Sequence, residues 1–190
     1  MKTHNLKVQF VGGHVFSNTR VPYGAAILLV RDPRGALVAE WNRERSKRMI
    51  SPNVSNHFTY VGEEYFGDNE MWEKYIHLKL PRWPQQMVNL LLEAKSAERP
   101  VYVLIFEDLK KNTVGEMKRV SDFLGFSLTE AEVGERLRVG FSNFYRNHTS
   151  TFTHFTLRQE RFVSNVVGTT SQFMKDNGIY DMFPRIDEYL

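Results

Sequence analysis

Two apolar runs divide the chain. Ala25-Ala26-Ile27-Leu28-Leu29-Val30 and Val101-Tyr102-Val103-Leu104-Ile105-Phe106 are continuous, rich in β-branched and aromatic residues, and short, which predicts two buried strands. The first stops at Arg31-Asp32-Pro33-Arg34, after which Ala36, Leu37 and Trp41 recur at helical spacing, so the pattern predicts a helix from about Pro33 to Arg48. Asp32 is a natural N-cap there, and Pro33 suits the first helical position because its missing N–H is not needed. Further helices are expected over Asn69–Leu80, around Met71, Trp72, Tyr75 and Ile76, and from Pro84 as first helical residue through Met87, Leu90, Leu91 and Ala94.

Beyond the second strand, Thr113 with Glu116 and Thr129 with Glu132 have the spacing of capping boxes and predict a pair of helices, the first ending at Gly125. Gly140 to His148 has no period and reads as an aromatic, basic loop. Thr156 with Gln159 predicts the cap of a last long helix, interrupted at Gly168-Thr169-Thr170 and stopped at Gly178. The tail from Tyr180 to Leu190 is expected to pack as an arm through Met182, Phe183, Ile186 and Tyr189. Residues 5 to 11 alternate weakly as a short strand, and Ile50 to Gly67 reads as a long ordered loop. A strand, helices, a second strand and more helices are the order of an α/β fold with a mainly parallel sheet. Two strong strands are few for such a sheet, so its completion is expected from residues 5 to 11 or from polypeptide outside this sequence.

Composition narrows the partners. With 190 residues, 42% of them hydrophobic, the chain suits a single domain, residues 1–190. The formal net charge of +3 is too small to argue for a nucleic-acid polymer. No run approaches the roughly 18 apolar residues of a membrane span, so no membrane contact is expected of this segment itself. The absence of cysteine removes disulfides, thiolate metal sites and cysteine nucleophiles.

The candidate chemistry is basic. Arg31, delivered by a strand to a helix N-terminus, is either an anion ligand, with backbone N–H groups and the helix dipole assisting, or half of a structural ion pair, with Asp32 as a possible partner. Arg34 reads as solvated. His4 beside Lys2 is a candidate general base with a charge-stabilising neighbour, though a terminal Lys-Thr-His is also compatible with no role. Arg146 can hold a phosphate with Phe144 or Phe141 against a base, or snorkel over an aromatic patch. His148 and His154 have no metal-binding spacing, adjacent Glu107 and Asp108 suit capping better than magnesium, and neither glycine-rich nucleotide motif is present.

Four of these pieces together resemble the sulfotransferases that use 3′-phosphoadenosine 5′-phosphosulfate (PAPS). Leu28-Leu29-Val30-Arg31-Asp32-Pro33-Arg34-Gly35 is similar to the family's 3′-phosphate strand, and Phe106-Glu107-Asp108-Leu109-Lys110, with Phe123-Leu124-Gly125 after it, to the Tyr-Glu-Asp-Leu segment and its Phe-Leu-Gly end. Ser142-Asn143-Phe144-Tyr145-Arg146 resembles the late phosphate-contacting loop, and Phe155-Thr156 with Glu160-Arg161-Phe162 the last helix. Within the superfamily, Ala26 to Pro33 with Leu37 to Arg43 is similar to the WSC domain-containing sulfotransferases, membrane-anchored Golgi proteins associated with glycans.

The resemblance implies a P-loop-type, three-layer α/β/α domain and transfer of a sulfuryl group from PAPS to a hydroxyl of a glycan or other alcohol. It implies His4 as base, Lys2 beside it, Arg31 and Arg146 on the 3′-phosphate, Phe106 and Phe141 near the nucleotide base, and no metal. A full-length anchored relative would work on the lumenal side of the Golgi membrane. The family's Pro-x-Ser-Gly-Thr-type phosphosulfate turn has no counterpart in this sequence, so the domain is expected to be N-terminally truncated, lacking the first strand, with activity in a longer parent protein. The alternative is a catalytically inactive sulfotransferase-like binding module.

Overall fold

In the computed structural model, residues 24–49, 62–141 and 154–190 are described. Their elements run β1 (Ala26–Val30), α1 (Pro33–Met49), α2 (Glu70–Lys79), α3 (Arg82–Ser96), β2 (Val101–Ile105), α4 (Phe106–Lys111), α5 (Thr113–Phe123), α6 (Glu130–Phe141) and α7 (Leu157–Asp176), with short 3-10 turns at Glu63–Tyr65, Tyr180–Met182 and Pro184–Tyr189. The fold is α/β, as the pattern predicts, with β1 and β2 paired in parallel. The chain divides into two compact units, residues 1–30 with 90–145 and residues 31–89 with 146–190.

The first unit contains the sheet. Ala26 pairs with Val101 and Val30 with Ile105, so the strands end in register, and Arg31 and Phe106 are the residues that leave the sheet's carboxyl edge. Leu28, Val30, Leu104 and Ile105 are buried, whereas Leu29 is 48% exposed: side chains alternate across a strand, which sets Leu29 on the opposite face of β1 from Leu28 and Val30. Sequence reading extends β2 through Phe106, but α4 opens at that residue, its first turn carrying Glu107 and Asp108 where acids suit the helix dipole.

The cap of α5 also differs from expectation. Asn112, not Thr113, is the N-cap and accepts from the Gly115 amide at 3.0 Å, while the Thr113 hydroxyl donates back to the Leu109 carbonyl at 2.8 Å. Glu116 does not reach back to the cap. It is buried, accepts from the Tyr102 hydroxyl at 3.3 Å and pairs with Arg119. The Thr129–Glu132 box is present, with both reciprocal contacts made. Gly125 (φ 80°) ends the α5 turn as expected, and α6 continues through Gly140 and Phe141, which sequence reading assigns to a loop.

The second unit is helical. Trp72 of α2 is fully buried, its indole N–H donates to the His154 carbonyl at 2.9 Å, and its ring meets those of Trp41, Phe66, Tyr75 and Phe155. Burial pushes the Tyr75 phenol up from its ordinary value, with the charges of Glu44 and Glu40 adding. Met71, expected with this group, is instead exposed, and Pro84 lies at the third residue of α3, which starts at Arg82.

In α7 the Thr156–Gln159 capping box is present. Gln159 is buried and also donates to the Gly67 carbonyl at 2.9 Å and to Glu73 at 2.6 Å, tying the helix start to α2. The helix passes Gly168 unbroken, where a Cβ would lie 3.5 Å from a methyl of Leu190. Gly178 (φ 63°) ends it, and the tail packs back as expected, burying Phe183, Ile186 and Tyr189. Asp187 holds the tail through the Tyr180 hydroxyl at 2.8 Å and Lys175 at 3.3 Å.

Candidate functional site

The turn from β1 into α1 is built by three local choices. The Asp32 side chain accepts from the Arg34 amide at 2.6 Å and the Gly35 amide at 3.4 Å, and its carbonyl opens the helix ladder through Ala36 at 2.9 Å. Pro33, fully buried, fixes the first helical residue. Gly35 supplies the third. A Cβ there would sit 3.2 Å from Arg31 Nε and 3.5 Å from Nη2, so the guanidinium lies on the bare backbone of the first turn. A cation held at the positive end of a helix raises the local potential, and an anion received there gains from the guanidinium and from the dipole together.

Asp32 therefore serves as the cap, and its other oxygen is 3.9 Å from Arg34 Nη1. Arg34, expected to be solvated, is instead paired: its Nε meets Glu160 at 2.6 Å and its Nη1 donates to the Tyr189 carbonyl at 2.8 Å. The indole N–H of Trp83, a residue no sequence pattern singles out, donates to the Arg31 carbonyl at 3.0 Å. That carbonyl precedes the helix ladder, which starts at Asp32.

Phe106 is half-buried at the start of α4. Phe141 closes α6, and its side chain lies outside the described residues, as do Lys2, His4, Arg146, Phe144 and His148. The structure thus gives geometry to Arg31 and Phe106 among the expected site residues. His154 is buried, its ring edge-on to Phe66 at 4.3 Å. Among the described residues there is no group of three or more His, Asp or Glu placed to hold a metal ion, and no helix is long and apolar enough to cross a membrane.

The comparisons with known proteins point to one family. A family model described as Sulfotransferase domain matches residues 17–178. WSCD family member CG9164 of Drosophila melanogaster is 30% identical over 127 residues, 66% of this chain and 37% of that protein. WSCD family member AAEL009094 of Aedes aegypti is 29% identical over 109 residues, 57% of this chain and 31% of that protein. Sulfotransferase 2A1 of Mus musculus is 28% identical over 159 residues, 80% of this chain and 49% of that protein. The chain therefore spans between 31% and 49% of the length of these relatives. No solved structure matches it significantly. The family-model match covers most of the chain and identifies it as a member of the sulfotransferase family.

Proposed function

We propose that this chain is the nucleotide-gripping part of a single PAPS-dependent sulfotransferase domain, and that the Arg31 turn receives the 3′-phosphate of the donor. The observation that carries the reading is the cradle at Gly35, which seats a guanidinium on a helix N-terminus so closely that an added Cβ would lie 3.2 Å from Arg31 Nε. An arginine fork at the positive end of a helix dipole suits a phosphate dianion, while the Arg34 and Gly35 amides stay with the Asp32 cap. Arg146 is assigned as the second phosphate ligand, with Phe106 and Phe141 on the base side.

When bound, PAPS supplies an activated sulfuryl group whose S–O bond to the phosphate breaks as the bond to the acceptor oxygen forms. His4 is assigned to take the proton from the acceptor hydroxyl at an imidazole nitrogen, and Lys2 to neutralise charge beside it. The residues of this chain otherwise bind and orient, which is where most of the acceleration of such a transfer arises. The acceptor class is a hydroxyl on a carbohydrate or other alcohol. In a full-length anchored protein the site would face the Golgi lumen.

Isothermal calorimetry with 3′,5′-diphosphoadenosine tests the reading. Binding by the wild-type chain and a loss of about 10- to 100-fold in Arg31→Ala are expected, the range of one charged phosphate contact. No heat with the wild type, or an unchanged affinity in Arg31→Ala, overturns it. Binding to the full-length protein without sulfuryl transfer would mark it as a binding module.

A further inference from the structure

The turn that carries Arg31 is held from outside by a closed ring of contacts. Trp83 donates its indole N–H to the Arg31 carbonyl at 3.0 Å. The Trp83 ring meets Tyr189 edge to face, with centroids 6.0 Å apart and planes at 80°. Tyr189, buried in the C-terminal arm beside Phe183, offers its carbonyl to Arg34 Nη1 at 2.8 Å. The Arg34 amide in turn donates to the Asp32 carboxylate at 2.6 Å, which returns the ring to the turn. Glu160 of α7 adds a second anchor on Arg34 at 2.6 Å.

Two consequences follow from this arrangement. The Arg31 peptide is clamped at its carbonyl, which sets the direction in which the side chain leaves the backbone, and a binding group displaced by about 1 Å loses much of its effect. The second arginine of the turn, Arg34, is occupied by Glu160 and Tyr189, so the guanidinium on the helix start is that of Arg31.

We propose that Trp83 and the C-terminal arm are positioning elements for the 3′-phosphate site, fixing the turn from Arg31 to Arg34 from a distance of many residues along the chain. The inference rests on the reading of Arg31 as the 3′-phosphate ligand. Trp83 acts through the Arg31 carbonyl, and Tyr189 through Trp83 and Arg34.

The test uses the whole 190-residue chain and the variant Trp83→Phe, which keeps an aromatic ring at this position and removes the indole donor together with the second ring of the indole. Two quantities are read: affinity for 3′,5′-diphosphoadenosine by calorimetry, and amide hydrogen exchange without ligand by NMR. Expected are an affinity lower by about 5- to 20-fold and exchange at the Gly35 amide about tenfold faster, with the central amides of α7 unchanged. Arg34→Gln, which releases the turn from the arm at its other end, is expected to act in the same direction and serves if Trp83→Phe folds poorly. An unchanged affinity in a folded variant overturns the proposal, as does faster exchange spread evenly through α7, which would report a general loss of packing. Absence of binding by the wild type is a separate result: it removes the nucleotide reading itself, and the positioning role with it.

Discussion

At the scale of single residues, Gly35 separates binding from stability. Glycine inside a helix costs about 1 kcal/mol relative to alanine, so Gly35→Ala should stabilise α1 if nothing opposed it. Here the added methyl meets Arg31 Nε at 3.2 Å, close enough that the guanidinium has to give by a few tenths of an ångström. The variant is expected to melt at the wild-type temperature or slightly above it while binding 3′,5′-diphosphoadenosine about three- to tenfold more weakly; paired melting and calorimetry check both halves. A second residue, Glu73, reports on pH. Its carboxyl is held below the usual range by the Gln159 side chain first, with His77 and Arg158 adding and burial opposing. The folded state therefore releases that proton more readily than the unfolded chain, whose glutamate titrates near about 4.3. The stabilisation is complete above that value and disappears as the pH falls through the lowered one. Glu73→Gln is expected to be less stable than wild type at pH 7 and to lose less on acidification from pH 5 to pH 3. Parallel declines in the two melting profiles would remove Glu73 from that account. The Arg31 turn was legible in the sequence because strand end, cap and proline are local signals, whereas the closeness of Gly35 to the guanidinium was not. The Glu73 network was not, since its partner Gln159 is 86 residues away.

Helix boundaries show what spacing alone can and cannot decide. Thr129–Glu132 and Thr156–Gln159 were readable as boxes, and both form. Thr113–Glu116 has the same spacing and does not form, because Glu116 turns inward to Tyr102 and Arg119, and Asn112, one residue earlier, supplies the cap. A residue that can both end one helix and start the next wins over a residue that can do only the second: Asn112 closes α4 through its amide to Asp108 and opens α5 through its side chain. Asn112→Ala is therefore expected to cost about 1 kcal/mol, and Thr113→Ala less than half of that. Urea midpoints rank them, and the reverse order would restore the threonine as cap. At Gly168 the local pattern suggested a break, yet α7 continues, with the tail residue Leu190 lying against that glycine. Such support comes from a distant segment and leaves no mark in a short window of sequence.

For the molecule as a whole, the alternation of strands and helices gave the α/β class, and the apolar spacing of the tail gave its packing. What neither could give is where the tail packs. Arg34 and Tyr189 are 155 residues apart and Arg31 and Trp83 are 52 apart, so the ring that holds the Arg31 turn exists only once the second unit has closed on itself. That closure is substantial: Ile179, Phe183 and Ile186 are at most 2% exposed and Tyr189 7%. Burying each such side chain contributes about 1.5–3 kcal/mol, and four together rival the total stability of about 5–15 kcal/mol typical of a folded domain. The arm is thus part of the core of its unit. A chain ending at Gly178 would also leave Arg34 without its carbonyl acceptor and Trp83 without its ring partner. It is expected to lose its cooperative thermal transition by circular dichroism and to be cut by protease within α7, the helix whose buried face the arm covers. A cooperative melt within about 3 °C of the full chain, a shift worth roughly 1 kcal/mol at this size, would mean that the arm is an accessory to the unit and that α7 closes without it.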